Sequence, residues 1–163
     1  MSLGSLIATS LGTLTVTSLG TLTATSFGAL IPANFSSTIA SGLTRYVKNT
    51  DLSYNQLNSS IPSGLLSSPT VESLDLTRNH LEGAIPVGSS PILFQLRLGQ
   101  NSLSGTIPQT IGNLSSLEYL EPYENDLSSP IPLQISDIKN LTLLNLASNS
   151  MEGELKKELG DLL

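Results

Sequence analysis

The sequence predicts an α/β solenoid: a horseshoe arc with short parallel β-strands on its concave face and irregular, 3-10 or short helical segments on its convex face. Three observations carry this reading. An asparagine recurs at Asn55, Asn79, Asn101, Asn125 and Asn149, with separations of 24, 22, 24 and 24 residues. Before each asparagine, apolar residues fall at alternate positions, as in Leu74 and Leu76 or Leu96 and Leu98. After four of them comes an Ile-Pro step: Ile61-Pro62, Ile85-Pro86, Ile107-Pro108 and Ile131-Pro132. A fixed period of this length is the mark of stacked coils, and five coils exceed the roughly three that a stable stack needs.

The physics of one unit is direct. Residues 71–93 hold Leu74, Leu76, Asn79, Leu81, Gly83, Ile85 and Pro86 in the pattern LxxLxLxxNxLxGxIP. Alternate leucines of a short strand point inward, and the residues between them point out. The asparagine leaves the strand at a turn, where its amide can satisfy backbone groups of the bend and of adjacent coils. Proline disfavours helix just before it, so the Ile-Pro step predicts a second short extended segment.

This pattern resembles that of leucine-rich repeats, and its GxIP extension resembles the plant-type subfamily found in receptor-like kinases, receptor-like proteins and cell-wall enzyme inhibitors. The resemblance covers residues 47–163, here taken as five repeats. Residues 1–46 form a separate Ser/Thr/Gly-rich segment.

That first segment has a repeat of its own. SLGSLIAT, SLGTLTVT, SLGTLTAT and SFGALIPA are four copies of an eight-residue unit, and residues 1–44 hold no charged side chain. Three readings stand. Thr13-Leu14-Thr15-Val16-Thr17 alternates with the period of a strand. Low complexity suits a lead-in without full order. Leu22, Phe27, Ile31 and Pro32 share the spacing of Leu52, Leu57, Ile61 and Pro62, so 20–35 fits a degenerate repeat or cap. An irregular joint at 36–46 follows.

The later repeats carry faults. The return at Val87–Pro91 lacks the apolar residues that Ile111 and Leu114 supply in the next repeat, so an irregular, tighter outer face is expected. Pro122 stands where Leu76 stands two repeats earlier; having no donor, it predicts a break or bulge at 121–123. Lys156 replaces the proline of Ile-Pro, and Glu154–Leu159 reads as a short amphipathic helix. No polar cap follows, which predicts a piece of a longer solenoid or self-association through an uncapped C-terminal coil.

Composition narrows the function. A net charge of −6 with 12% charged residues argues against nucleic acid as a partner. Without cysteine there is no disulfide framework or thiol chemistry. No run of apolar residues reaches membrane-spanning length, and the start lacks the basic residues of a secretory signal. The single histidine, His80, sits just after a turn, and no nucleophile elbow, phosphate loop or paired-cysteine metal motif occurs. No catalytic residue, cofactor or metal is therefore assigned; Asp51 and Asp75 fall short of the roughly six oxygens that Ca²⁺ takes.

What remains is the concave surface. Outward residues fall into columns: Asn49, Ser73, Gln95, Tyr119 and Leu143; Asp51, Asp75, Arg97, Glu121 and Asn145; Ser53, Thr77, Gly99, Tyr123 and Ala147. Neighbours in a column are expected about 4.8 Å apart. Asp75, Arg97 and Glu121 alternate in sign, which fits either an ion ladder or a polar platform. Tyr119 and Tyr123 stand among Glu118, Glu121, Glu124 and Asp126, an acidic aromatic patch suited to a basic peptide or a polyol. Gln95, Arg97, Tyr119, Glu121 and Tyr123 are the candidate ligand-binding residues. Sequons at Asn34, Asn58, Asn113 and Asn140 permit glycosylation in a secreted chain.

The resemblance implies a non-catalytic module that recognises a peptide or protein, often with a co-receptor, in an extracellular or plasma-membrane setting. A membrane link would run only through a spanning segment not found in this sequence. The alternatives are a soluble protein resembling cell-wall inhibitors, and an ice-binding or purely structural repeat suggested by the Thr-x-Thr rows at Thr13 to Thr25.

Overall fold

The computed structural model describes residues 7–8, 14–15, 20–23, 39, 47–154 and 157–160. Two parallel sheets run along the stack. The first is built from β3 (Gly20–Thr23), β4 (Val47–Asp51), β6 (Ser73–Asp75), β8 (Gln95–Arg97), β10 (Tyr119–Glu121) and β12 (Leu143–Leu144). The second holds β5 (Asn58–Ser59), β7 (His80–Gly83), β9 (Ser102–Gly105), β11 (Asp126–Ser129) and β13 (Ser150–Met151). The coils are numbered one to five by Asn55, Asn79, Asn101, Asn125 and Asn149.

The alternation of leucines becomes the core. Leu74, Leu76, Leu96, Leu98 and Leu120 have no exposed surface, and each such burial contributes roughly 1.5–3 kcal/mol. The register follows from it: Ser73 pairs with Gln95 and Asp75 with Arg97, then Gln95 with Tyr119 and Arg97 with Glu121. A slip of one residue would turn the leucines to solvent.

Each asparagine closes the turn and ties two coils. The Asn79 side-chain amide donates to the carbonyls of Leu76 at 3.0 Å and of Leu52, in the preceding coil, at 2.9 Å. Its oxygen accepts from the Leu57 amide at 3.0 Å. Asn101, Asn125 and Asn149 repeat this, accepting from Leu81, Leu103 and Leu127. Buried backbone groups that no strand can satisfy thus find partners.

The Ile-Pro step is extended as expected, with φ −68° at both Pro108 and Pro132, and the second sheet stands just before it. Its strands form directly after the asparagines and end before the Ile-Pro step. The reason is local: the amides of Leu81, Leu103 and Leu127 are already held by the next coil's asparagine, whereas proline brings no donor to a ladder.

Pro122 also behaves differently from expectation. The register runs unbroken from Tyr119 to Glu121, with no bulge, and Pro122 is buried. The Leu52, Leu76 and Leu98 amides each donate to the next coil, at 2.8, 2.9 and 3.0 Å. Pro122 lacks that one donor, and its neighbour β12 pairs over only two residues. The ladder resumes at Glu124, whose amide donates to the Ala147 carbonyl at 2.8 Å.

Three returns on the outer side contain 3-10 turns, at Leu65–Ser67, Gln109–Asn113 and Leu133–Asp137. The return of coil two has no helix, in keeping with the irregular outer face that its sequence predicts. There Gly88 presses on coil one: a Cβ on it would lie 2.5 Å from the Leu66 Cβ. The Ser89 and Ser90 amides both donate to the Leu66 carbonyl.

The C-terminal helix α1 spans Lys157–Gly160, later than the expected 154–159, and buries Leu159. Glu154 is not helical, and residues 155–156 lie outside the described set. At the other end, β1 (Ile7–Ala8) and β2 (Leu14–Thr15) pair antiparallel. Strand β3 extends the first sheet by pairing with β4. Leu22 sits beside Thr50, not beside Leu52 as the spacing suggested, and the register shifts between Gly20 and Leu22. Spacing counted across an insertion does not fix strand pairing.

Candidate functional site

The columns form as expected on the first sheet, and they are more tightly linked than the sequence indicated. Arg97 donates from Nε to Glu121 Oε1 at 2.8 Å and lies 3.6 Å from Asp75 Oδ2. Glu121, then burial acting against it, then Asp75, leave the guanidinium pKa raised above its usual value. The Gln95 amide completes the group. With its nitrogen donating to Ser73 Oγ at 2.8 Å, its oxygen accepts from Arg97 at 3.2 and 3.3 Å. Gln95, Arg97 and Glu121 are therefore brought together, and the alternating charges form an ion ladder. Asp75, Arg97 and Glu121 are partly buried, and the ladder fixes the orientation of their side chains across three coils.

Asp51 and Asp75 have a local task. Asp51 accepts from the Ser53 amide and hydroxyl, and Asp75 from the Thr77 amide at 2.9 Å. Asn145 does the same for Ala147. These are turn-closing bonds of a kind that aspartate and asparagine make two residues onward, and in both aspartates they use the Oδ1 atom.

Tyr119 stands beside Gln95 in register and is partly exposed. Its hydroxyl makes no hydrogen bond among the described residues. Tyr123 lies across Gly99: a Cβ on that glycine would come within 2.2–2.6 Å of three of its ring atoms. Burial first, then the charges of Glu121 and Glu124, push the Tyr123 phenol pKa up. The ring reaches from coil four onto Gly99 of coil three. Tyr119 and Tyr123 thus share a strand region but different columns.

The sequence reading missed a fourth row, immediately before the asparagines. Tyr54, Arg78, Gln100, Glu124 and Ser148 all have positive φ, between 49° and 56°. Arg78 stacks over the Tyr54 ring, 4.9 Å from its centroid. Its Nε donates to Gln100, whose own amide donates to Glu124 at 2.8 Å. The signal was present as a polar residue before every asparagine, but the strand period does not reach past the turn.

The sequons separate by location. Asn113 and Asn140 are exposed, Asn58 is partly buried within β5, and Asn34 lies outside the described residues. The Asn140 amide donates to the Ser115 carbonyl at 3.1 Å. His80 is exposed on β7. Of the Thr-x-Thr rows, Thr15 lies in β2 and Thr21 and Thr23 in β3, whereas Thr13, Thr17 and Thr25 lie outside the described residues.

The profile of the family described as Leucine Rich Repeat matches residues 93–114. The ectodomain of the receptor kinase SOBIR1 from Arabidopsis thaliana superposes with a TM-score of 0.65 at 34% identity, over 74% of this chain and 69% of that one. The chain belongs to the plant-type leucine-rich repeat family. Receptor-like protein 31 of Arabidopsis thaliana is 35% identical over 85 residues, 49% of this chain and 10% of that protein. The plant peptide hormone receptor RGFR1, solved in complex with RGF2, superposes with a TM-score of 0.74 at 29% identity, over 77% of this chain and 21% of that one. The match spans about a tenth of the first relative's length and about a fifth of the second's. Among the described residues no helix is long and apolar enough to cross a membrane.

Proposed function

We propose that the chain is a non-catalytic, extracellular recognition module whose concave face binds a peptide or a short protein segment, with a co-receptor as a further partner. The observation that supports it most is the half-buried Tyr123 beside the partly exposed Tyr119, standing on a sheet whose backbone is already satisfied. Aromatic side chains held this way offer large contact area at little entropic cost. Of the five candidate residues, Tyr119, Glu121, Tyr123 and Gln95 make contact in this reading. Arg97, held by two carboxylates, orients Glu121 and takes part at its exposed edge. That the matched regions of the relatives are receptor ectodomains supports the same reading.

Exposed Asn113 and Asn140 are the proposed glycan carriers, since a glycan there leaves the concave columns open. Residues 47–163 are proposed as the five repeats, and residues 1–46 as the segment before them that caps the first coil through the pairing of β3 with β4. Self-association through coil five is part of the proposal, resting on Leu143, which is 41% exposed.

The test is a displayed peptide library selected against the whole chain. Selected peptides should lose at least about tenfold in affinity when Tyr119 and Tyr123 are both replaced by alanine, a loss ordinary for paired hot-spot residues. Peptides that bind the folded double variant as tightly as the parent chain would refute the concave site.

A further inference from the structure

Gly99 is the one place in the third column without a side chain, and the ring of Tyr123 occupies the space it leaves. Thr77, its equivalent in coil two, is buried, and Ala147 in coil five is exposed. Only coil three leaves room for a ring laid flat along the stack. Tyr123 keeps part of its surface exposed while its ring packs on Gly99.

The charges around the ring decide what fits over it. Glu121 and Glu124 flank Tyr123 in the chain, and their charges, with that of Asp75, oppose ionisation of its hydroxyl while Arg78 favours it. Both guanidiniums nearby are committed: Arg97 to Glu121 and Asp75, and Arg78 to the Tyr54 ring and Gln100. Three carboxylates, Glu121, Glu124 and Asp75, stand against these two guanidiniums, so the balance of charge favours a cation over an anion. A cation finds an open aromatic surface bordered by carboxylates that keep unshared acceptor capacity, because each carboxylate has about four lone-pair sites. A cation over a tyrosine ring is attracted by the ring quadrupole, and neighbouring carboxylates reinforce it.

We propose that Tyr123, seated on Gly99 and bordered by Glu121 and Glu124, is a receptor seat for one cationic side chain of a bound peptide, an arginine guanidinium or a lysine ammonium. Gly99 is the positioning residue: it touches no ligand and acts by letting the ring lie down. The proposal rests on the peptide-binding reading and specifies the charge of the residue bound.

The probe is the peptide acetyl-Gly-Arg-Gly-Arg-Gly-amide, with its citrulline counterpart as a neutral isostere. Binding to the whole chain is followed by the ring resonances of ¹³C-labelled tyrosine. The arginine peptide should shift the Tyr123 ring signals, and the citrulline peptide should bind about tenfold more weakly or not at all. Tyr123→Phe keeps the ring and should bind within about twofold of the parent. Gly99→Ala and Tyr123→Leu should each lose the shift and the binding. Amide exchange over 71–150 checks that each variant is folded, and if Gly99→Ala is not, Tyr123→Leu decides. Equal binding of the citrulline peptide, or parent-like binding by a folded Gly99→Ala or Tyr123→Leu variant, overturns the seat. Library-selected peptides that depend on Tyr119 but ignore both variants overturn the seat and leave the peptide reading standing. If no selected peptide depends on either tyrosine, both fall.

Discussion

Coils two and three share a spine and differ in their returns. Between Asn79 and Asn101 the chain takes 22 residues and passes over the outside without a helix, with Gly88 against Leu66. Between Asn101 and Asn125 it takes 24 residues and includes the 3-10 turn at Gln109–Asn113. The inner register is nevertheless the same on both sides: Gln95 lies between Ser73 and Tyr119, and Arg97 between Asp75 and Glu121. Register is therefore set inside, by leucines with no alternative face and asparagines that tie consecutive turns. The return has only to close the coil. A binding surface on the spine inherits this regularity, whatever happens outside.

The comparison can be broken most severely at a leucine of the spine. Leu96→Ala empties a site with no exposed surface and should cost about 2–5 kcal/mol in denaturant unfolding. Val87→Ala, on the return of coil two and 58% exposed, should stay within about 0.5 kcal/mol of the parent. Equal losses would mean that the spine is not where stability resides. Next is the asparagine tie. Asn79→Ala removes the donor to Leu52 and Leu76 and the acceptor for Leu57. Each buried group left unpaired costs about 1–3 kcal/mol, so a total loss of at least about 2 kcal/mol is expected. Amide exchange should report it in coils one and two together, since the bonds span both.

A smaller effect is expected where a return touches the preceding coil. Gly88→Ala places a methyl group 2.5 Å from the Leu66 Cβ and 2.7 Å from its carbonyl oxygen. Because the contact includes backbone, relief requires the return to move, at about 1–3 kcal/mol. A loss confined to the outer segment, with β6 and β8 still protected, would support the division between spine and return. Loss of protection in the strands would join them.

The residues make clear why some features were legible and others not. The strands, the columns and the asparagine ties follow from a period and from the need to satisfy backbone groups, so they could be read from Leu74, Leu76 and Asn79 alone. The plain return of coil two was legible from its missing apolar residues. The effect of Pro122 was misjudged because a lost donor was taken for a lost register, and a single missing bond among intact neighbours does not shift a strand. The extended Ile-Pro step was legible, but the second sheet before it was not, because the pairing at Leu81 depends on an asparagine one coil away. In the candidate site, Glu121 and Arg97 were legible as neighbours from register. The Tyr123 ring on Gly99 was not, because how far a long side chain leans along a stack depends on the volume beside it. A large residue next to a glycine in the same column was the available signal.

The finest test of the comparison concerns the turn that ends each strand of the second sheet. Gly83 and Gly105 both have φ 77°, and Gly153 has φ 96°. Ser59 and Ser129 fill the same place in coils one and four, at φ 71° and 72°. The stack thus forces serine into a backbone region where its Cβ crowds the following carbonyl. Glycine relieves that strain but brings more freedom to the unfolded chain. Ser129→Gly should therefore stabilise by a few tenths to about 1 kcal/mol, the two effects partly offsetting. Ser128→Gly, one residue earlier in β11 without positive φ, should destabilise by about 0.5–1 kcal/mol. Opposite signs at adjacent serines, measured by denaturant midpoint, would show that the neighbouring coils impose the turn on this residue. The same sign at both would mean that coil four makes its turn without constraint, and that the regularity of the spine does not extend into the second sheet.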